Sequence, residues 1–156
     1  MAAEFIRSAD LVVTAARTIV APAGAIFAAW TDAATLKRVF GLSRAELDVR
    51  LGGRYRFETD GTDEFPGRHV VTGEYRELVP RRRIVQSWIY EGPMTPGEVI
   101  ETLVTVELRE IMPDVVQVTL REEGPTFADA GQRAFALAAW TMALRDLELT
   151  LFDRAA

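Results

Sequence analysis

The sequence predicts an α+β fold: a curved antiparallel sheet of about seven strands wrapped on one long C-terminal helix, in the order β-α-α-β6-α. Two observations carry this. From residue 45 to 123, apolar and polar residues alternate in short runs separated by turn residues, the period of half-buried strands. From about residue 127 the spacing changes to three and four and stays there to the end of the chain, the period of a helix. Strands joined by short turns pair antiparallel, and only the long helix is large enough to cover one face of the sheet they form.

The first strand is Leu11 to Val20, rich in Val, Thr and Ile, and Pro22 closes it. Proline suits the first turn of a helix, where its missing N–H leaves no donor unpaired. Ala23, Ile26, Phe27 and Trp30 then place one apolar stripe on a short helix. Asp32 is a suitable N-cap for a second helix, Ala33 to Phe40, and Gly41 ends it. Ala45 to Leu51 and Arg54 to Thr59 flank Gly52-Gly53, which is expected to form a tight hairpin turn. Asp60 to Gly67 reads as a loop, followed by strands at His69 to Leu78, Arg83 to Tyr90, Glu98 to Arg109 and Val115 to Glu123.

The last helix is expected over Phe127 to Phe152. Leu137, Trp140, Leu144, Leu147 and Leu151 form its main seam. A second stripe, Phe135, Ala138, Met142 and Leu149, falls on nearly the opposite side. A helix with its back in water needs only one stripe, so something is expected to cover the other: the N-terminal helices, or a second copy of the chain through Phe135, Met142 and Leu149.

Composition bounds the function. The 156 residues fit one domain, taken as 10–153 with a lead-in at 1–9. The apolar share of 49% and charged share of 26% are those of a folded chain. There is no cysteine, which removes disulfides, thiol catalysis and cysteine-bound metal. The net charge of −5 argues against nucleic-acid binding. No membrane span is expected. Met1 to Asp10 lacks the pattern of an export signal, so a cytoplasmic location is expected. Neither a cofactor nor a metal is expected, since one histidine without cysteine supplies no usual ligand set. The abundance of alanine carries no mechanistic weight at this level.

No side chain commends itself as catalytic. His69, on the strand face of Val71, Gly73 and Tyr75, is either a pocket donor or base, or a satisfied edge histidine; the second reading is favoured, because no nucleophile accompanies it at a recognised spacing. Asp48, Arg50 and Arg54 read as cross-strand ion pairs rather than an anion site. Arg81-Arg82-Arg83 reads as a solvated turn. Glu122-Glu123 reads as a strand end, because neighbours on a strand face opposite ways and cannot converge. The aromatic residues are more informative. Tyr and Trp need partners for their polar atoms when buried, so a core holding several of them suits a cavity with a few polar handles. The expected lining is Trp30, Tyr55, Phe57, His69, Tyr75, Gln86, Trp88, Tyr90 and Trp140.

Several stretches carry a resemblance: Ala21-Pro22 through Thr31-Asp32, Leu36-Lys37-Arg38-Val39-Phe40-Gly41, Asp48-Val49-Arg50-Leu51-Gly52-Gly53-Arg54-Tyr55, Gly73-Glu74-Tyr75, Pro80, Arg83-Ile84-Val85, and Trp140 with its following leucines. Together they resemble the helix-grip superfamily of START domains, birch-pollen-allergen-like proteins and polyketide cyclases (SRPBCC). Within it they resemble the activator of heat-shock-protein-90 ATPase homologue-like subfamily. The chain departs at Val39, where tryptophan is common, and at Ala139, where glycine usually precedes Trp140; both are taken as packing positions. The resemblance implies a helix-grip fold and, most directly, non-catalytic binding of a small apolar or amphipathic molecule between sheet and helix. It leaves open a cyclase- or aromatase-like enzyme. It also leaves open a co-chaperone role, disfavoured because the eukaryotic co-chaperone has a second domain.

Overall fold

The computed structural model describes residues 11–63 and 66–155. The lead-in expected at 1–9 lies outside them. The strands are β1 (Val12–Val20), β2 (Arg44–Leu47), β3 (Arg54–Gly61), β4 (Pro66–Val79), β5 (Arg83–Glu91), β6 (Ile100–Met112) and β7 (Val115–Glu123). Helices α1 (Ala23–Thr31) and α2 (Ala33–Phe40) follow β1, and α3 (Ala130–Ala155) ends the described chain after a 3-10 turn at Pro125–Ala128. This is the predicted α+β helix-grip architecture. All seven strands form one antiparallel sheet in the order β1-β7-β6-β5-β4-β3-β2. The strands β2 to β7 run as a meander, and β1 returns to pair with β7.

The register explains the curvature. Pairing shifts between Thr59 and Gly61, between Tyr75 and Glu77, and between Glu110 and Met112. Each such irregularity bends a strand and raises its twist. One sheet face turns inward and carries the core: Ile19, Tyr75, Ile84, Val104, Val106, Val116, Val118 and Leu120 are all essentially buried. From this helix Leu144, Leu147, Leu151 and Trp140 meet that face. Arg17 of β1 donates from Nε and Nη2 to Glu148, both at 3.2 Å, tying the C-terminal half of α3 to the edge strand.

The local punctuation explains the short helices. Asp32 Oδ2 accepts from the Thr35 backbone N–H at 3.0 Å and from its hydroxyl at 2.6 Å, capping α2. Gly41 ends α2 at φ 62°, the left-handed conformation that favours glycine.

Four expectations are corrected. Gly52-Gly53 is not a two-residue hairpin turn. β2 stops at Leu47, and residues 48–53 form a longer connection that leans on β4, with Gly52 N–H donating to Tyr75 O at 2.8 Å and Tyr75 N–H to Gly53 O at 2.9 Å. Asp48 and Arg50 pair at 2.8 Å within this exposed connection rather than across strands. On α3 the seam takes Ala136 in place of Leu137, which is 46% exposed. The helix phase is fixed by Trp140, Leu144 and Leu147, and one residue step of about 100° carries Leu137 off the covered side. Finally, β3 reaches Gly61 and β4 starts at Pro66, so both ends of the loop expected at 60–67 are strand.

Candidate functional site

A cavity of about 340 Å³ lies between the inner sheet face, the two short helices and the N-terminal half of α3. Its aromatic walls are drawn from distant parts of the chain, among them Trp30 on α1, Phe40 on α2, Phe57 on β3, Trp88 and Tyr90 on β5, and Trp140 on α3. All three tryptophans of the chain are among them. Trp140 stands 5.1 Å from Trp88 and 6.4 Å from Trp30 between ring centroids. Phe57 meets Trp88 edge-on at 6.2 Å. Exposed Thr62 and Met94 lie at the rim.

The helix leaves room here because of its small side chains. Ala136, Ala139 and Ala143 face the cavity at spacings of three and four. Alanine, given no weight from composition, is what keeps this stretch of α3 from filling the space. Ala139 is therefore a cavity-lining position, while Val39 packs in the core. Phe135 and Met142 also line the cavity from the flank of α3, and Leu149 is exposed, so the second stripe does not act as one surface.

Of the expected lining residues, Trp30, Phe57, His69, Trp88, Tyr90 and Trp140 meet at the cavity. Tyr55, Tyr75 and Gln86 do not; they are buried in the neighbouring floor. Tyr55 donates its hydroxyl to Ser87 O. Burial pushes the phenols of Tyr55 and Tyr75 well above their ordinary range. His69 Nδ1 and the Tyr90 hydroxyl are 2.7 Å apart, so the histidine is held against one wall.

The polar centre of the cavity is a residue the sequence reading dismissed. Glu122 lies on β7 in step with Val116, Val118 and Leu120, on the inner face, and is 8% exposed. Its register partners are Val104 of β6 and Val13 of β1. Trp140 Nε1 donates to Oε1 at 2.7 Å, and the Thr102 hydroxyl to Oε2 at 2.6 Å. Burial raises its carboxyl above the ordinary value, and those two bonds partly offset the rise. Glu122 and Glu123 do face opposite ways, but the inner carboxylate has partners from β6 and α3 and needs none from its neighbour. The alternation of β7 carried this signal, since a charge at an apolar parity position in a strand marks an inward-facing polar group.

Glu58 is a buried carboxylate of another kind. It is on the outer face of β3, covered by the guanidinium groups of Arg68, Arg56 and Arg44, which hold its carboxyl down at about 2. Arg83, of the turn triplet, bonds Glu107 at 2.6 Å and Glu77 at 3.1 Å. Both clusters serve the outer sheet surface, and no group of three or more metal-binding side chains occurs among the described residues.

The sequence from residue 20 to 151 matches the family described as activator of Hsp90 ATPase homolog 1-like protein. The chain belongs to this family. No curated protein matches it. Among solved structures, this Hsp90-ATPase-activator-like chain is similar to an uncharacterised protein from Rhizobium leguminosarum, with 26% identity over 91% of this chain and 94% of that one and a TM-score of 0.72. It is also similar in fold to an HSP90 activator from Plasmodium falciparum, with 23% identity over 90% and 96% of the two chains and a TM-score of 0.70. DynU16, a protein of the dynemicin biosynthetic locus, shares the fold at 19% identity and a TM-score of 0.70, over 90% of this chain and 47% of that one. Among the described residues no helix is long and apolar enough to cross a membrane.

Proposed function

We propose that this activator-like protein binds a small apolar or amphipathic molecule in the cavity between sheet and α3, without changing it chemically. The observation that carries the reading is the aromatic cavity itself, with a hydrogen-bonded carboxylate at its inner wall. Concave sites lined by apolar and aromatic side chains with a few placed polar groups are how proteins hold small molecules. Native mass spectrometry of the purified protein and a thermal-shift screen with apolar compounds test it. A ligand that binds only the folded state raises the melting temperature with its concentration. Absence of any shift across apolar compounds that fit the volume would remove the reading.

A second reading is activation of the Hsp90 ATPase. It is supported by the family match and by the likeness to the Plasmodium falciparum activator. The likeness spans 96% of that activator's solved chain. Stimulation of an Hsp90 ATPase by the purified protein tests it directly. In this reading the cavity is incidental, and Glu122→Gln leaves the stimulation unchanged.

A further inference from the structure

We infer that the cavity selects an organic cation with an apolar body over a fatty acid or other anion. This rests on the binding reading above and names the class of molecule bound.

The first ground is charge. Among the described residues, no lysine or arginine lines the cavity, and its formally charged side chains are Glu122 and Asp146. Glu122 accepts one bond on each oxygen. An ionised carboxylate has about four acceptor directions, so it can take a further partner. Asp146 is half-buried and 3.9 Å from the guanidinium of Arg145, its neighbour on α3. An anion entering here meets like charge from Glu122, which is buried and so little screened.

The second ground is the aromatic wall. Trp30, Trp88 and Trp140 crowd around the inner end, and Trp140 itself holds Glu122. Indole faces attract cations through the ring quadrupole, most strongly when the pair is desolvated. A carboxylate beside several indole rings is therefore a site for a soft, weakly hydrated cation such as a substituted ammonium.

One donor in the wall stays unsatisfied and takes no part in the charge preference. Trp30 is 5% exposed and lines the cavity, and its indole N–H has no acceptor among the described residues. Buried donors are nearly always paired, with protein, water or ligand. The rest of the wall near it, Phe40 at 5.1 Å and Trp140 at 6.4 Å, offers only rings.

The test uses three probes with the same tail and different heads: decyltrimethylammonium, decanol and decanoate. Each is titrated below its micelle concentration at neutral pH and low salt, read by tryptophan fluorescence and calorimetry. The cation is expected to bind about tenfold more tightly than the alcohol, with decanoate weakest. Glu122→Gln is expected to remove about tenfold of cation affinity and to leave decanol binding within about twofold. Asp146→Asn, at the rim, is expected to give a smaller loss, and supplies the charge test if Glu122→Gln fails to fold. Equal binding of all three heads, or a cation preference that survives both variants, overturns the inference and leaves the binding reading standing. Binding of none of the three overturns both.

Discussion

The indole nitrogen of Trp140 donates to Oε1 of Glu122 at 2.7 Å, across the gap between the long helix and the inner sheet face. One bond thus fastens the lid of the fold to its wall and orients the carboxylate at the cavity. Trp140→Phe keeps most of the packing and removes the donor. An orphaned buried acceptor costs about 1–3 kcal/mol, more if charged. Urea unfolding is expected to show a loss of that size. In the double variant with Glu122→Gln the loss shrinks, because no charge is left behind.

Glu122 also sets a pH dependence. Its carboxyl titrates above the ordinary value of 4.5 in the folded chain, chiefly because burial disfavours the charge. A folded value above the unfolded one means that its contribution is fully present below about pH 4.5 and is lost as pH rises through the folded value. Glu122→Gln keeps an acceptor for Trp140 and lacks the charge. The variant is therefore expected to equal or exceed the parent in stability at pH 7 to 8, with the difference vanishing toward pH 4. Unfolding curves across that range check it.

Glu58 has the opposite sign. Three arginines hold its carboxyl at about 2, against an ordinary value of 4.5. Its contribution is present above about pH 4.5 and is lost as pH falls toward 2. Glu58→Gln is expected to flatten the acid limb of the stability profile and to leave the profile above pH 6 parallel to that of the parent. Circular dichroism melts from pH 2 to pH 6 measure this.

Two glycines should respond oppositely to alanine. A Cβ at Gly73 would overlap the Ser87 carbonyl oxygen and come within 2.7 Å of the Tyr55 hydroxyl. Tyr55 donates to that same carbonyl, so the glycine makes room for the bond. Gly73→Ala is expected to destabilise by about 1–3 kcal/mol through overpacking. At Gly24, on α1, a Cβ meets nothing within 4 Å. Gly24→Ala is expected to stabilise by about 0.5–1 kcal/mol. Denaturant midpoints of the two variants should move in opposite directions.

Phe135 separates the two roles considered for its face of α3. It lines the cavity beside Met142. Phe135→Glu is expected to weaken binding of an apolar probe. Sedimentation velocity on the parent and the variant then reads self-association through Phe135, Met142 and Leu149 independently: a dimer that the variant dissociates assigns this face to an interface as well.

Much of the fold is written locally. The alternation of Val116, Val118 and Leu120, the Asp32 cap, the Gly41 stop and the three-four spacing of Trp140, Leu144, Leu147 and Leu151 depend only on near neighbours in the chain. Such patterns survive any tertiary arrangement, so element order and fold class were legible. The site was less so. Trp30, Phe57, Trp88, Tyr90 and Trp140 were recognisable as lining residues by their chemistry, yet nothing local separates them from Tyr55 and Tyr75, which lie in the solid floor.

What only the tertiary structure decided is where the sheet bends and which side of α3 faces it. Those two facts make Ala136, Ala139 and Ala143 a space rather than a filler, put Leu137 in water, and bring Thr102 and Trp140 to Glu122. The reason is distance along the chain. Glu122 is separated by 20 residues from Thr102 and 18 from Trp140, and a hydrogen bond between groups that far apart exists only once the long-range packing has fixed their separation in space.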